Sequence, residues 1–106
     1  MATLGLPAIQ DLVDRIVREF HPQRVILFGS RAYGDPRPDS DVDLLVILPF
    51  EGTPYRKAVE ILQAVQPTFP VDILPRRPDD TDQRYRLGDP LIREAFDRGK
   101  VLFEAP

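Results

Sequence analysis

The chain predicts a small α/β domain, a mixed β-sheet of about four strands with three helices packed on it, and three observations carry that expectation. Apolar residues switch between a helical period and short continuous runs, in the order helix, strand, strand, helix, strand, helix, strand. Prolines and glycines fall at the joints between these segments. One run, Leu44-Leu45-Val46-Ile47-Leu48, is apolar at every position, as a strand covered on both faces must be.

Each element follows from local chemistry. Ile9, Leu12, Val13, Ile16, Val17 and Phe20 recur at helical spacing and predict an amphipathic helix over residues 7–20, whose stripe covers a sheet face. His21-Pro22 ends it, and His21, the only histidine, reads as a cap or turn residue rather than a catalytic base. Residues 24–28 form a β-branched and aromatic strand, closed by a Gly29-Ser30 turn, and residues 34–40 are a proline-rich loop. The second strand spans residues 41–48 and is central in the sheet, so its acidic beginning sits at the rim. After a turn at 49–53, Pro54 takes the first position of a second helix that runs to about Gln66, with Ala58, Ile61, Leu62 and Val65 inward, and Pro67 stops it. A third strand covers 71–74. The stretch 75–82, polar and holding two prolines, reads as an exposed loop. Asp89 then caps a third helix that has Pro90 at its first position, Leu91, Ile92, Ala95 and Phe96 on its apolar face and Gly99 at its C-cap. Residues 100–104 make the last strand.

Chemistry concentrates in the first half. A Gly-Ser turn after a strand can leave backbone N–H groups and one hydroxyl pointing outward, which suits phosphate oxygens, although such a dipeptide is more often only a turn. On the second strand alternate side chains share a face, so Asp41 and Asp43 project from the same side, roughly 6 to 7 Å apart. Two carboxylates so placed repel each other unless a cation lies between them, and hard oxygen ligands with places left for water and phosphate are what Mg²⁺ prefers. Asp72 interrupts the otherwise apolar Val71-Asp72-Ile73-Leu74, where an Asp is disfavoured and costly. If that strand lies beside the second one, three carboxylates converge. Arg76, Arg77, Arg84 and Arg86 either clamp phosphate or a protein partner near the site, or form a solvated, charge-balanced surface.

Composition limits the alternatives. At 12.1 kDa the chain reads as a single domain over 1–106, with little surface for a separate substrate lobe. The absence of cysteine excludes disulfides and thiolate metal sites and fits a reducing cytoplasm. No run approaches the ~20 apolar residues of a membrane span, and the N-terminus lacks a basic flank, so the expectation is a soluble, cytoplasmic protein with no membrane partner. With 14 Lys and Arg against 17 Asp and Glu, the net charge of −3 disfavours nucleic acid as a partner.

Gly29-Ser30, ten intervening residues and then Asp41-Val42-Asp43 match the Gly-Ser-x10-Asp-x-Asp pattern of the nucleotidyltransferase superfamily that includes DNA polymerase beta. The chain resembles its minimal nucleotidyltransferases, which are often the antitoxin-like partners of HEPN-domain proteins. The resemblance implies the palm-like nucleotidyltransferase fold, ATP or another NTP as substrate, and two Mg²⁺ ions, with Mn²⁺ as a substitute. Carried over by residue, it implies nucleotide binding by Gly29, Ser30 and Arg31, metal binding by Asp41, Asp43 and Asp72, and help from Asp72 in activating the acceptor hydroxyl. Many members carry a second arginine where this chain has Tyr33.

Two functions follow from different classes. The first is a metal-dependent nucleotidyltransferase that moves NMP, taken as AMP from ATP, to a hydroxyl of a protein partner, with a tyrosine of a HEPN toxin as the implied acceptor. The alternative is a non-catalytic antitoxin that neutralises a HEPN ribonuclease by complex formation. Completeness favours the enzyme, because a vestigial site has no chemical need for three acids together with Gly-Ser.

Overall fold

The computed structural model describes residues 5–33 and 41–106. The elements run α1 (Leu6–Phe20), β1 (Arg24–Phe28), α2 (Ser30–Tyr33), β2 (Val42–Ile47), α3 (Pro54–Val65), β3 (Val71–Arg76), α4 (Pro78–Leu87), α5 (Pro90–Arg98) and β4 (Lys100–Glu104). The proline-rich loop expected at 34–40 lies outside the described residues.

The strands form one sheet in the order β3-β2-β1-β4. β1 is antiparallel to both β2 and β4, whereas β2 and β3 are parallel, so the sheet is mixed. A parallel neighbour requires a crossover, and α3 supplies it. Helices cover both faces. On one, Val25, Leu27, Val42, Leu44 and Val46 pack with Leu12, Val13 and Ile16 of α1 and with Ile61 and Val65 of α3. On the other, Ile26, Phe28, Leu45 and Ile47 pack with Ile92 and Ala95 of α5. Burial on two faces explains why β1 and β2 read as unbroken apolar runs.

Capping chemistry sets several boundaries. Thr53 accepts a hydrogen bond from the Arg56 N–H at the start of α3, and His21 closes α1 in the left-handed conformation at φ 50°. Asp89 accepts from the Leu91 and Ile92 N–H groups, and Gly99 ends α5 as expected.

The structure departs from the sequence expectation in helix count: among the described residues there are five, not three. The added α2 is one turn after Gly29. The other addition is α4, which replaces most of the loop expected at 75–82. Pro78 stands at its first position, where no N–H is needed, Asp79 and Asp80 complement the positive end of the helix, and Gly88 closes it with φ 85°. Its one buried residue, Thr81, donates its hydroxyl to the Pro78 carbonyl at 2.7 Å. The third strand also runs on through Pro75 to Arg76, tolerable because β3 is an edge strand. Among the described residues no helix is long and apolar enough to cross a membrane.

Candidate active site

β1 ends at Phe28, and Gly29 then turns the chain with φ 81°, a conformation that favours glycine. Its carbonyl accepts from the N–H groups of Ala32 at 3.0 Å and Tyr33 at 3.3 Å, which winds residues 30–33 into α2. Ser30 and Arg31 are half-buried in that turn.

Phe28 pairs with Asp43 across the antiparallel β1–β2 ladder, so the β2 carboxylate comes up against the Gly29 backbone. A Cβ at Gly29 would stand 2.5 Å from Asp43 Oδ2. No side chain other than hydrogen fits there without displacing that carboxylate. A phosphate group approaching the Gly29 backbone therefore meets Asp43 at once.

The parallel β2–β3 register pairs Asp43 with Asp72. Adjacent strands are about 4.8 Å apart, so the two carboxyl groups are neighbours on one side of the sheet. That side is the one covered by α5, because Asp43 alternates in phase with Leu45 and Ile47. Burial, then the charges of Asp72 and Asp41, push the Asp43 carboxyl above its ordinary range. Asp41 is exposed, just ahead of β2.

The sheet thus brings Asp43 and Asp72 together beside Gly29, with Asp41 in electrostatic reach. Among the described residues no three His, Cys, Asp or Glu side chains are gathered tightly enough to hold a metal ion as they stand. The chemistry of the donor set nevertheless fits a hard divalent cation: paired carboxylate oxygens, one of them half-buried, whose mutual repulsion a cation would relieve.

Two charged residues at this place escaped the sequence reading. Glu94 of α5 also raises the Asp43 pKa and, after burial itself, that of the Tyr33 phenol. Arg98, one helical turn later, lies over the Tyr33 ring. Their spacing of four residues on one helix was a visible signal, but which sheet face α5 covers was not.

The four arginines Arg76, Arg77, Arg84 and Arg86 lie elsewhere. Arg76 ends β3, four residues from Asp72 and so about 13 Å along the strand. Arg77 donates to the carbonyls of Phe50 at 2.8 Å and Gly52 at 2.7 Å and lies over the Phe50 ring. Arg84 pairs with Asp80 and Asp89, and Arg86 donates to the Asp82 carbonyl. Arg77, Arg84 and Arg86 thus staple α4 and its flanking turns, and Arg76 donates to the Pro75 carbonyl within β3. A cavity of about 460 Å³ lined by Gln23, Arg24, Ile47 and Thr81 lies at this same end of the sheet, away from the carboxylates.

Comparison with known proteins follows the same lines. The model of the nucleotidyltransferase domain family matches residues 9–102. Among solved structures, a toxin-antitoxin with AMP-PNP superposes with a TM-score of 0.57 at 19% identity, over 91% of this chain and 73% of that one. A protein from Sulfolobus solfataricus, assigned as a nucleotidyltransferase, gives 0.59 at 23% identity over 74% and 71%. The toxin-antitoxin MntA-HepT gives 0.53 at 16% identity over 95% and 74%. At these identities the likeness is one of fold. No curated protein matches the sequence.

Proposed function

Because this chain belongs to the nucleotidyltransferase domain family, we propose that it transfers AMP from ATP to a hydroxyl group of a partner protein and so acts as an antitoxin. The observation that carries the reading is the adjacency of three features: the Gly29 turn, the Asp43 carboxylate against it, and Asp72 in register beside Asp43. A structural turn has no use for two repelling carboxylates at its rim. Two structures of similar fold are toxin-antitoxin assemblies, one of them with AMP-PNP, which supports a nucleotide and a protein partner.

In this reading Gly29, Ser30 and Arg31 bind the triphosphate, the glycine by allowing close backbone approach and the serine by its hydroxyl. Asp41, Asp43 and Asp72 would hold Mg²⁺ or Mn²⁺, which when bound supplies positive charge to the phosphoryl oxygens. Asp72, exposed at the outer edge of the set, orients the acceptor hydroxyl and takes its proton as the oxygen attacks the α-phosphorus and pyrophosphate leaves. The acceptor is a tyrosine of a HEPN-domain protein.

Intact-mass analysis of that partner after incubation with this chain, ATP and Mg²⁺ tests the proposal. AMP-sized additions are expected with wild type and not with Asp41→Ala. A partner left unmodified, yet inhibited equally by wild type and by the Ala variant, would leave neutralisation by complex formation in place of catalysis.

A further inference from the structure

The C-terminal end of α5 is held close to β1. A Cβ at Gly99 would stand 2.6 Å from Ile26 Cγ2 and 2.8 Å from the Leu27 carbonyl oxygen, and Lys100 is the sheet partner of Leu27. Only glycine lets the helix end this near the strand. Arg98, the residue before it, is thereby tethered beside the last residues of β1, at the approach to Gly29.

Its guanidinium carbon lies 4.2 Å from the centroid of the Tyr33 ring. Tyr33 is three residues after Ser30 in α2, so the two side chains stand on one face of that turn. The ring is anchored, since it packs against the Ile26–Phe28 cluster and its hydroxyl oxygen is buried. A guanidinium held over a ring by cation–π attraction spends none of its N–H groups on a hydrogen bond there and keeps them for another ligand. Among the described residues Arg98 makes no ion pair with a carboxylate.

The nucleotide reading supplies the ligand, and charge sets what that ligand needs. Asp41, Asp43, Asp72 and Glu94 make this side of the sheet acidic, so a polyphosphate arriving here needs fixed cations. We infer that Arg98, seated on the ring of Tyr33, is a binding residue for the β- and γ-phosphates of the nucleotide, supplied by α5 and not by the cradle that follows β1. The inference rests on the nucleotide reading above. It assigns Tyr33 a part as well, that of a platform which positions the guanidinium.

Titration calorimetry of the whole chain with ATP and with AMP, in Mg²⁺, separates the possibilities. Arg98→Ala should weaken ATP binding about tenfold or more, the scale of a charge-assisted hydrogen bond, and leave AMP binding nearly unchanged. Arg98→Lys should fall between, keeping the charge but not the fork. Tyr33→Leu removes the ring under the guanidinium and should weaken ATP binding in the same sense as Arg98→Ala, again with AMP binding nearly unchanged. Arg98→Ala binding ATP like wild type, or weakening ATP and AMP by the same factor, overturns the inference alone. A wild-type protein that binds no ATP overturns the nucleotide reading and this one with it.

Discussion

Replacing Gly29 by alanine tests the site at its tightest point. The backbone there has φ 81°, and an L-residue pays about 1–2 kcal/mol to adopt such a conformation. The methyl group adds a second effect. Its carbon would lie 2.5 Å from Asp43 Oδ2, where ordinary contact begins near 3.4 Å, so the carboxylate must retreat by about 1 Å. In a domain of this size each 1 kcal/mol shifts the melting temperature by about 4–8 °C, which predicts a loss of roughly 4 to 16 °C from the backbone alone. A misplacement of about 1 Å at the reacting centre costs about 10²-fold, so nucleotidyl transfer should fall by roughly that factor. Calorimetric melts and a pyrophosphate-release assay, run well below the transition, read the two effects separately. The steric part has its own control: in an Asp43→Ala background the methyl group meets no carboxylate, so Gly29→Ala should cost about 0.5 kcal/mol less there than in wild type. An unchanged melting temperature, or an equal cost in both backgrounds, would refute the placement of Asp43 against Gly29.

Two further outcomes follow from the electrostatics. Asp43 has a carboxyl pKa raised above its ordinary 3.8 by burial and by Asp72 and Asp41, so its ionisation opposes folding. That cost is absent where folded and unfolded states are both protonated, sets in as pH rises through 3.8 and is complete above the folded value. Asp43→Asn should consequently melt above wild type at neutral pH, with the difference closing in acid, while transfer is lost; a lower melting point at neutral pH would show that the carboxylate is satisfied as it stands. Asp89 behaves oppositely: the Ile92 N–H, Arg84 and the Leu91 N–H hold its carboxylate below the ordinary range, so it contributes stability at neutral pH that fades as pH falls through the folded value. Asp89→Ala should cost about 1 kcal/mol as a lost N-cap, with a deficit that shrinks in acid, and a deficit independent of pH would remove the charge from the account.

Much of the frame was legible because its signals are local. Pro54 and Pro90 begin helices where their missing N–H costs nothing, Asp89 and Gly99 bracket α5, and β4 spans residues 100–104 as its sequence predicts. Helix α4 was hidden for an equally local reason: Thr81 alone is buried in it, so no apolar period marks it, and Pro75 and Pro78 read as loop formers. The prolines were in fact an edge-strand residue and a first helical position.

By itself the sequence determined which residues could bear the chemistry: the Gly29-Ser30 turn, the two acids at the start of a central strand, and an aspartate where strands disfavour one. These depend on residue type and on a spacing of a few residues, and the side-chain alternation of a strand propagates them. Only the tertiary structure decided that Asp72 stands beside Asp43, because register between β2 and β3 is set by the α3 crossover and the packing of both faces. The same holds for Glu94, whose charge acts on Asp43, and for Arg98, which lies over Tyr33, because α5 covers that face of the sheet and the bare backbone of Gly99 lets its end lie against β1. Contacts between segments seventy residues apart depend on how the faces pack, and no local pattern records that.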